Sequence, residues 1–329
     1  MQAQTAARGP ASAQPHPATN PSAASAADGS HSCSLCEGRE DETPPEVYAV
    51  RPGGPPNAPG WTVRVVPNKY PLLAPDGGGN PPDSLEHGRG DPDLLVSGPA
   101  GGSHEVIVHA PRHQLSLVEL DPEQFLAAID AWRARLSAHE GAAYVHVSVN
   151  EGKQAGASLE HTHAQLYALP FVPALVARER ERFTAHHNRT MGGCLLCDLL
   201  QEEVRRRDRV VAMDDHAVVL APYASRMPFE LQLVPRRHER SFVDSDPRAA
   251  ALLQEALATL KRVLGGSPPP LNLWLRTAPK DASHFHWHID VVPRTTQLAG
   301  LELGTGVAVN VRAPEEAAAE LRGAAGSSS

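Results

Sequence analysis

The 329-residue sequence predicts an α+β fold in which one module is used twice. Three observations carry that expectation. The same parts recur in the same order in both halves. "CSLC" (Cys33, Cys36), "HEVIVHAPRHQLSL" and "HTHAQLYALP" make the first series; "CLLC" (Cys194, Cys197), "FELQLVPRRHERSF" and "HFHWHIDVVP" make the second. The spacing also matches, with 48 residues from His113 to His161 and 46 from His238 to His284. Finally, each half sets one helical pattern between strand-like runs, so each module should be a mainly antiparallel sheet with packed helices.

Each element follows from local signals. Residues 1–30 are rich in Ala, Pro and Ser and lack the apolar run of a signal peptide, so they read as a disordered tail. The first module is expected over residues 31–175. Within it, residues 76–103 form a long Gly/Pro/Asp loop. "DPEQFLAAIDAWRARLSAH" opens with Asp-Pro and spaces its apolar residues at three and four, which predicts a helix. "AYVHVSVN" alternates, which predicts a strand. Residues 176–192 are largely charged or polar and read as punctuation between the modules. The second module is expected over residues 190–320, with a helix in "DPRAAALLQEALATLKRVLGG" and a strand in "LNLWLRT". Residues 321–329, ending "GAAGSSS", read as a second disordered tail.

Composition narrows the function classes. A hydrophobic content of 41% suffices for a core, and a net charge of -8 argues against a general nucleic-acid or membrane-surface binder. No run approaches the 18 apolar residues of a membrane span. Without an export signal, the cytoplasm is the expected compartment. There, four cysteines read as thiolate ligands before disulfides.

A Cys-x-x-Cys pair offers two thiolates from one turn, and two histidines complete a tetrahedral zinc site. The repeat selects Cys33, Cys36, His113 and His161 for one site and Cys194, Cys197, His238 and His284 for the other, giving two Zn2+ per chain. Burial as small hydrophobes, or one site of four thiolates, stays open. His104, His109, His139 and His146 read as surface or satisfied core residues. In a strand, i and i+2 share a face, so His161, His163 and Gln165 point together, as do His284, His286 and His288. With His161 as a ligand, His163 is free to attack phosphorus; ligation of metal by both remains the alternative. The preceding "NEGKQAGAS", with Gly156 and Ser158, allows backbone to approach a phosphate, and the Gln165 amide can stabilise developing charge. "DASHFHWHID" lacks a glycine-bearing lead. The segment reads as structural or supporting, with His286 and His288 as candidates to bind a further metal or to reach the active site from across the interface.

Six segments now carry a resemblance: "CSLC", "RVVPNKYPLL", "HEVIVHAPRHQLSL", "NEGKQAGASLEHTHAQLYALP", "HFHWHIDVVPR" and "GLELGTGVAVN". Together they resemble the galactose-1-phosphate uridylyltransferase family, of the histidine-triad superfamily, over about residues 33–320. The resemblance implies duplicated histidine-triad-like modules, a homodimer and a ping-pong nucleotidyl transfer. His163 would be the nucleophile and His161 a zinc ligand. Ser158 and Gln165 would hold the α-phosphate. Asn68 and Asn150 would lie near the nucleotide, and Glu302 near the sugar. A nucleoside-diphosphate sugar would be the donor, and a sugar 1-phosphate or phosphate the acceptor. A UDP-glucose–hexose-1-phosphate uridylyltransferase is the leading expectation. Thr162 stands where the best-known members have proline, and "GLELGTGVAVN" lacks their Gln-containing continuation and looks more like the branch that includes ADP-glucose phosphorylase, whose members also carry two Cys-x-x-Cys pairs. Histidine-triad hydrolases carry a histidine at the position of Gln165. An amide cannot protonate a leaving group, so Gln165 favours transfer over hydrolysis. A nucleotide hydrolase and a zinc-stabilised nucleotide-binding protein are the remaining alternatives.

Overall fold

The computed structural model describes residues 33–75 and 100–326. The tail expected over residues 1–30 and most of the loop expected over 76–103 lie outside the described residues. The first half supplies β1 (Tyr48–Val50), β2 (Val63–Pro67), β3 (Ser103–Val108), α1 (Pro122–Ala138), β4 (Tyr144–Glu151) and β5 (His163–Leu169). Next come α2 (Ala174–Thr190) and α3 (Leu195–Arg206). The second half continues with β6 (Val210–Met213), β7 (Ala217–Leu220), β8 (Leu231–Pro235), α4 (Ala251–Val263), β9 (Leu271–Arg276) and β10 (His288–Pro293). It ends on α5 (Gly300–Thr305) and α6 (Pro314–Gly326).

Among the described residues, ten strands join one sheet in the order β1-β2-β3-β5-β4-β9-β10-β8-β7-β6, and every neighbouring pair is antiparallel. Read inward from its two ends, the order repeats: β1, β2, β3, β5, β4 matches β6, β7, β8, β10, β9. The duplication inferred from the cysteine and histidine spacing is therefore a duplication of topology. The two modules do not keep separate sheets. They fuse where β4 pairs β9, with Val147 opposite Leu275 and Val149 opposite Leu273.

The helices form where their caps and periodicity place them. The Asp121 side chain accepts the Gln124 N–H at the start of α1, and Pro122 occupies the first turn, where its missing N–H costs nothing. Asp246 likewise caps a short 3-10 turn, Pro247–Ala250, that leads into α4. Phe125, Ile129 and Trp132 of α1, with Leu253, Leu257 and Leu260 of α4, bury against one face of the sheet, including Val147, Val149, Leu166, Leu273, Leu275 and Ile289. Burial alternates along β4, β5 and β9. The opposite face therefore presents His146, Ser148, Asn150, Gln165, Tyr167, Asn272, Trp274 and Arg276, all half-buried.

Two expectations need correction. Residues 176–192 are not punctuation, because α2 occupies most of them. Its charged side chains conceal two apolar anchors one heptad apart, Val176 and Phe183, and Phe183 packs with Leu196, Leu200, Val218, Val234 and Phe285 in a smaller core on the other face. Nor is 321–329 wholly a tail. Helix α6 runs to residue 326 and buries Ala317, Ala318 and Leu321 in the main core, while Arg322 Nη1 donates to the Val210 carbonyl at 2.5 Å. Alanine-rich sequence looks featureless, but small side chains let this helix approach β6 and α4 closely. Among the described residues, no helix is long and apolar enough to cross a membrane.

Leu321→Ala should lower stability by about 2–4 kcal/mol, because it opens a cavity in a closed core. Urea unfolding reads this directly; an unchanged midpoint would show that the C-terminal helix is dispensable.

Candidate functional site

The first Cys-x-x-Cys turn meets His113 and His161 in one cluster. Cys33 Sγ and Cys36 Sγ each lie 3.6 Å from His161 Nδ1, and Cys36 Sγ lies 3.6 Å from His113 Nδ1. The four ligand atoms fall within 4.8 Å of one another. A tetrahedral zinc ion with usual bond lengths separates sulfur from nitrogen by about 3.5 Å, so the donors fit that ion. His161 Nε2–H donates to the Ala110 carbonyl at 2.9 Å, which leaves the Nδ1 lone pair for the metal. Burial pushes its pKa down to about 4, so the ring is neutral near pH 7.

The second cluster is Cys194, Cys197, His238 and His286. His286 Nδ1 lies 3.6 Å from Cys194 Sγ and 3.4 Å from Cys197 Sγ, and His238 Nδ1 lies 3.6 Å from Cys197 Sγ. The sequence assignment of His284 is thus corrected by one step of the strand period. His284 instead stacks on His187, with centroids 3.7 Å apart. The matching landmark is the histidine two residues before the strand's first residue: His161 before β5 at His163, and His286 before β10 at His288. On that register both intervals from the lone histidine are 48 residues.

His163 opens β5 on the sheet's polar face. Its Nδ1–H donates to the carbonyl of His161 at 2.7 Å. In a neutral imidazole this leaves Nε2 with a bare lone pair, and burial lowers the pKa to favour that form. The second module repeats the bond, since His288 Nδ1 is 3.1 Å from the His286 carbonyl. Its outward nitrogen, however, meets Glu179 Oε1 at 3.3 Å. Asp290 stands two residues on, where the first module has Gln165. It accepts from Trp274 Nε1 at 2.8 Å and Gln232 Nε2 at 2.9 Å. A phosphate that suits the first pair would be repelled by these carboxylates.

Around His163 the structure gathers several of the residues named from the sequence. Val149 pairs with Ala164, so Asn150 stands beside His163 in the ladder. Its Oδ1 accepts from Asn272 Nδ2 at 2.7 Å, and the same amide reaches the Ala155 carbonyl at 2.8 Å. Asn272 lies in the second module and carries no motif; only its place on the polar face of β9 marks it. Gln165 Oε1 takes hydrogen bonds from His104 Nε2 at 3.0 Å and Tyr167 Oη at 2.7 Å. Asn68 is adjacent, with its Nδ2 3.1 Å from His104 Nε2 and its Oδ1 accepting from the Tyr70 N–H.

The glycine-bearing lead is a compact turn. Gly152 (φ 78°) must be glycine, because a Cβ there would meet Pro270 at 3.0 Å; Gly156 also has positive φ, 84°. The N–H groups of Ala155 and Ala157 go to the Gly152 carbonyl, and that of Gly156 goes to Lys153. The turn therefore spends those donors on itself, and the exposed Ser158 lies beyond it on the way to His161. Glu302 is not drawn to this cluster. Its carboxylate caps the N–H of Ala299 at the start of α5, at 3.0 Å.

Behind the two histidines runs a buried chain that the sequence reading missed. Trp132 Nε1–H donates to His109 Nε2 at 3.1 Å, and His109 Nδ1–H therefore donates to Thr162 Oγ1 at 3.0 Å. Thr162 Oγ1 donates in turn to Glu151 Oε1 at 3.3 Å. Glu151 also accepts from Ser116 Oγ at 2.5 Å and the Leu117 N–H at 2.7 Å. Complete burial raises the Glu151 pKa to about 7, against these stabilising bonds.

Residues 59–173 match the family described as galactose-1-phosphate uridyl transferase, N-terminal domain. The chain is 31% identical over 305 residues to ADP-glucose phosphorylase of Arabidopsis thaliana, spanning 88% of this chain and 81% of that protein. It is 29% identical over 238 residues to galactose-1-phosphate uridylyltransferase of Thermotoga maritima, spanning 67% of this chain and 74% of that one. A crystal structure of an ADP-glucose phosphorylase from Arabidopsis thaliana with bound ADP-glucose shares the fold at a TM-score of 0.73 and 29% identity. That match covers 88% of this chain and 90% of that one.

Metal analysis of purified protein should find two ions per chain; His286→Ala should remove one, and His284→Ala neither. Loss of an ion from His284→Ala would contradict the second ligand set. Glu151 gives a pH signature. Between its ordinary value of 4.5 and about 7, the unfolded chain releases a proton that the folded chain keeps. Its contribution is therefore present at low pH and lost as pH rises through that window. The stability of the wild type relative to Glu151→Gln should fall from pH 4.5 to 7; a constant difference in thermal midpoint would refute this.

Proposed function

Because the chain belongs to the galactose-1-phosphate uridylyltransferase family, a family of nucleotidyl-transferring enzymes, we propose that it moves a nucleoside monophosphate by way of His163. The donor is a nucleoside-diphosphate hexose, and the acceptor is a hexose 1-phosphate or inorganic phosphate. One observation supports this above the rest: Nδ1–H of His163 is tied to its own chain, so Nε2 is a neutral, oriented nucleophile.

In the first half-reaction the Nε2 lone pair attacks the α-phosphorus. The bond from that phosphorus to the bridging oxygen breaks, and hexose 1-phosphate leaves with the electron pair. The ring gains positive character as the N–P bond forms, and the His161 carbonyl oxygen faces the Nδ1–H that carries it. Gln165 and the free Asn150 amide face the phosphoryl oxygens and offset their developing charge. In the second half-reaction an acceptor phosphate oxygen attacks the same phosphorus, the N–P bond breaks, and His163 returns neutral. No group at Gln165 can supply a proton to assist loss to water. We assign zinc to both Cys2His2 sets, where it would close four-ligand sites and support folding.

Two donors have specific support. The match of residues 59–173 favours uridylyl transfer from UDP-glucose, the leading expectation from the sequence. The 305-residue likeness to ADP-glucose phosphorylase, together with the second Cys2His2 set, favours adenylyl transfer from ADP-glucose to phosphate just as strongly.

Incubation with UDP-glucose and with ADP-glucose, each labelled at the α-phosphate, separates the two. The preferred donor should leave acid-labile label on the protein, and a hexose 1-phosphate or phosphate should discharge it. His163→Gly should reduce labelling to background. Release of free nucleoside monophosphate without an acceptor would instead indicate hydrolysis, and binding without labelling would remove catalysis from the account.

A further inference from the structure

We propose that His104 and Tyr167 are positioning residues that aim the amide of Gln165 at the transferred phosphoryl group; the inference rests on the nucleotidyl transfer proposed above. His104 on β3 and Tyr167 on β5 are paired in register, and their rings stack with centroids 4.3 Å apart at 23°. Both reach the side chain of Gln165, on the strand that carries His163.

The direction of each hydrogen bond follows from the one before. The Leu72 N–H donates to His104 Nδ1 at 3.2 Å, so in the neutral ring the hydrogen sits on Nε2. That hydrogen goes to Gln165 Oε1 at 3.0 Å, and Tyr167 Oη–H occupies the second lone pair of the same oxygen at 2.7 Å. With its oxygen doubly engaged, Gln165 has one free end, the Nε2 amide. Turning the amide over would set its N–H2 against the His104 Nε2–H, which has no lone pair to offer. A free glutamine side chain would sample both orientations and many rotamers. Here one orientation is selected before substrate arrives, so no reorganisation is needed when charge develops. Two donors on the carbonyl also polarise the amide and make its N–H groups stronger donors.

His104 is 6% exposed and burial lowers its pKa, so the ring keeps the neutral form that this bonding pattern needs. Asn68 Nδ2 lies 3.1 Å from the same His104 nitrogen, whose hydrogen is committed to Gln165.

The test is single-turnover nucleotidylation of His163 by the labelled donor, in the full-length, metal-loaded protein. His104→Ala should slow the step at saturating donor by on the order of 10- to 100-fold with little change in half-saturation, since aim and not ground-state binding is lost. His104→Gln, which can present an amide N–H in place of Nε2–H, should recover most of the rate. In a Gln165→Ala background, His104→Ala should add nothing further, because it acts through Gln165. Tyr167→Phe keeps the stacked ring and should cost a few-fold, so the idea stays testable even where His104→Ala folds poorly. Wild-type rates in both His104→Ala and Tyr167→Phe, or fully additive losses with Gln165→Ala, would overturn the positioning role while leaving the nucleophile in place. A wild-type protein that takes no label would overturn the proposed transfer and this inference with it.

Discussion

The hydrogen bond from His163 Nδ1 to the carbonyl of His161 ties the residue whose buried ring belongs to the first Cys2His2 group to the imidazole proposed to react. His161 is held at both nitrogens, by the two sulfurs on one side and by the Ala110 carbonyl on the other. Its backbone is therefore fixed, and so is the oxygen that His163 bonds. The tautomer of His163 follows, and with it the bare Nε2. The Cys33–Cys36–His113–His161 cluster thus sets the tautomer and aim of the His163 nitrogen proposed to react. From behind, Thr162 ties the same dipeptide to Glu151, His109 and Trp132. A proline at that position could not make those bonds.

The second module shows what the same backbone does with different side chains. His288 repeats the bond to its preceding partner, yet Glu179 meets its outward nitrogen and Asp290 replaces the amide of Gln165. One copy presents an imidazole with a bare Nε2 beside amides; the other presents an imidazole among carboxylates. The second copy still serves the first. The sheet fuses at β4 and β9, and Asn272 crosses that seam to hold Asn150 and the Gly152–Gly156 turn together. Duplication followed by fusion makes the neighbouring module part of the site's scaffold.

Much of this was legible in the sequence because it depends on local or periodic signals. Asp-Pro helix starts, alternating strands, paired Cys-x-x-Cys turns and the sharing of a face by i and i+2 are such signals; they anticipated the repeated strand order and the gathering of Cys33, Cys36, His113 and His161, and they put His163 and Gln165 on one face. What failed depended on register or on distant partners. Choosing His284 over His286 is a one-step error along a strand, and a His-x-His-x-His triplet has no internal mark to prevent it. Helix α2 was hidden because two buried residues, Val176 and Phe183, suffice to seat seventeen residues of mostly polar sequence. His104 and Asn272 gained their roles only when β3 and β9 were brought beside β5 and β4. Glu302 was placed by resemblance, and within this chain its carboxylate caps its own helix.

The central claim is that a particular nitrogen becomes bonded to phosphorus. Peptide-level mass spectrometry under alkaline conditions, which preserve a phosphoramidate, locates the adduct after the protein is mixed with donor and no acceptor. The account predicts a nucleoside monophosphate on the peptide containing His163 and none on the peptide containing His288. An adduct on His288, on a cysteine, or on no residue while product still forms would contradict it.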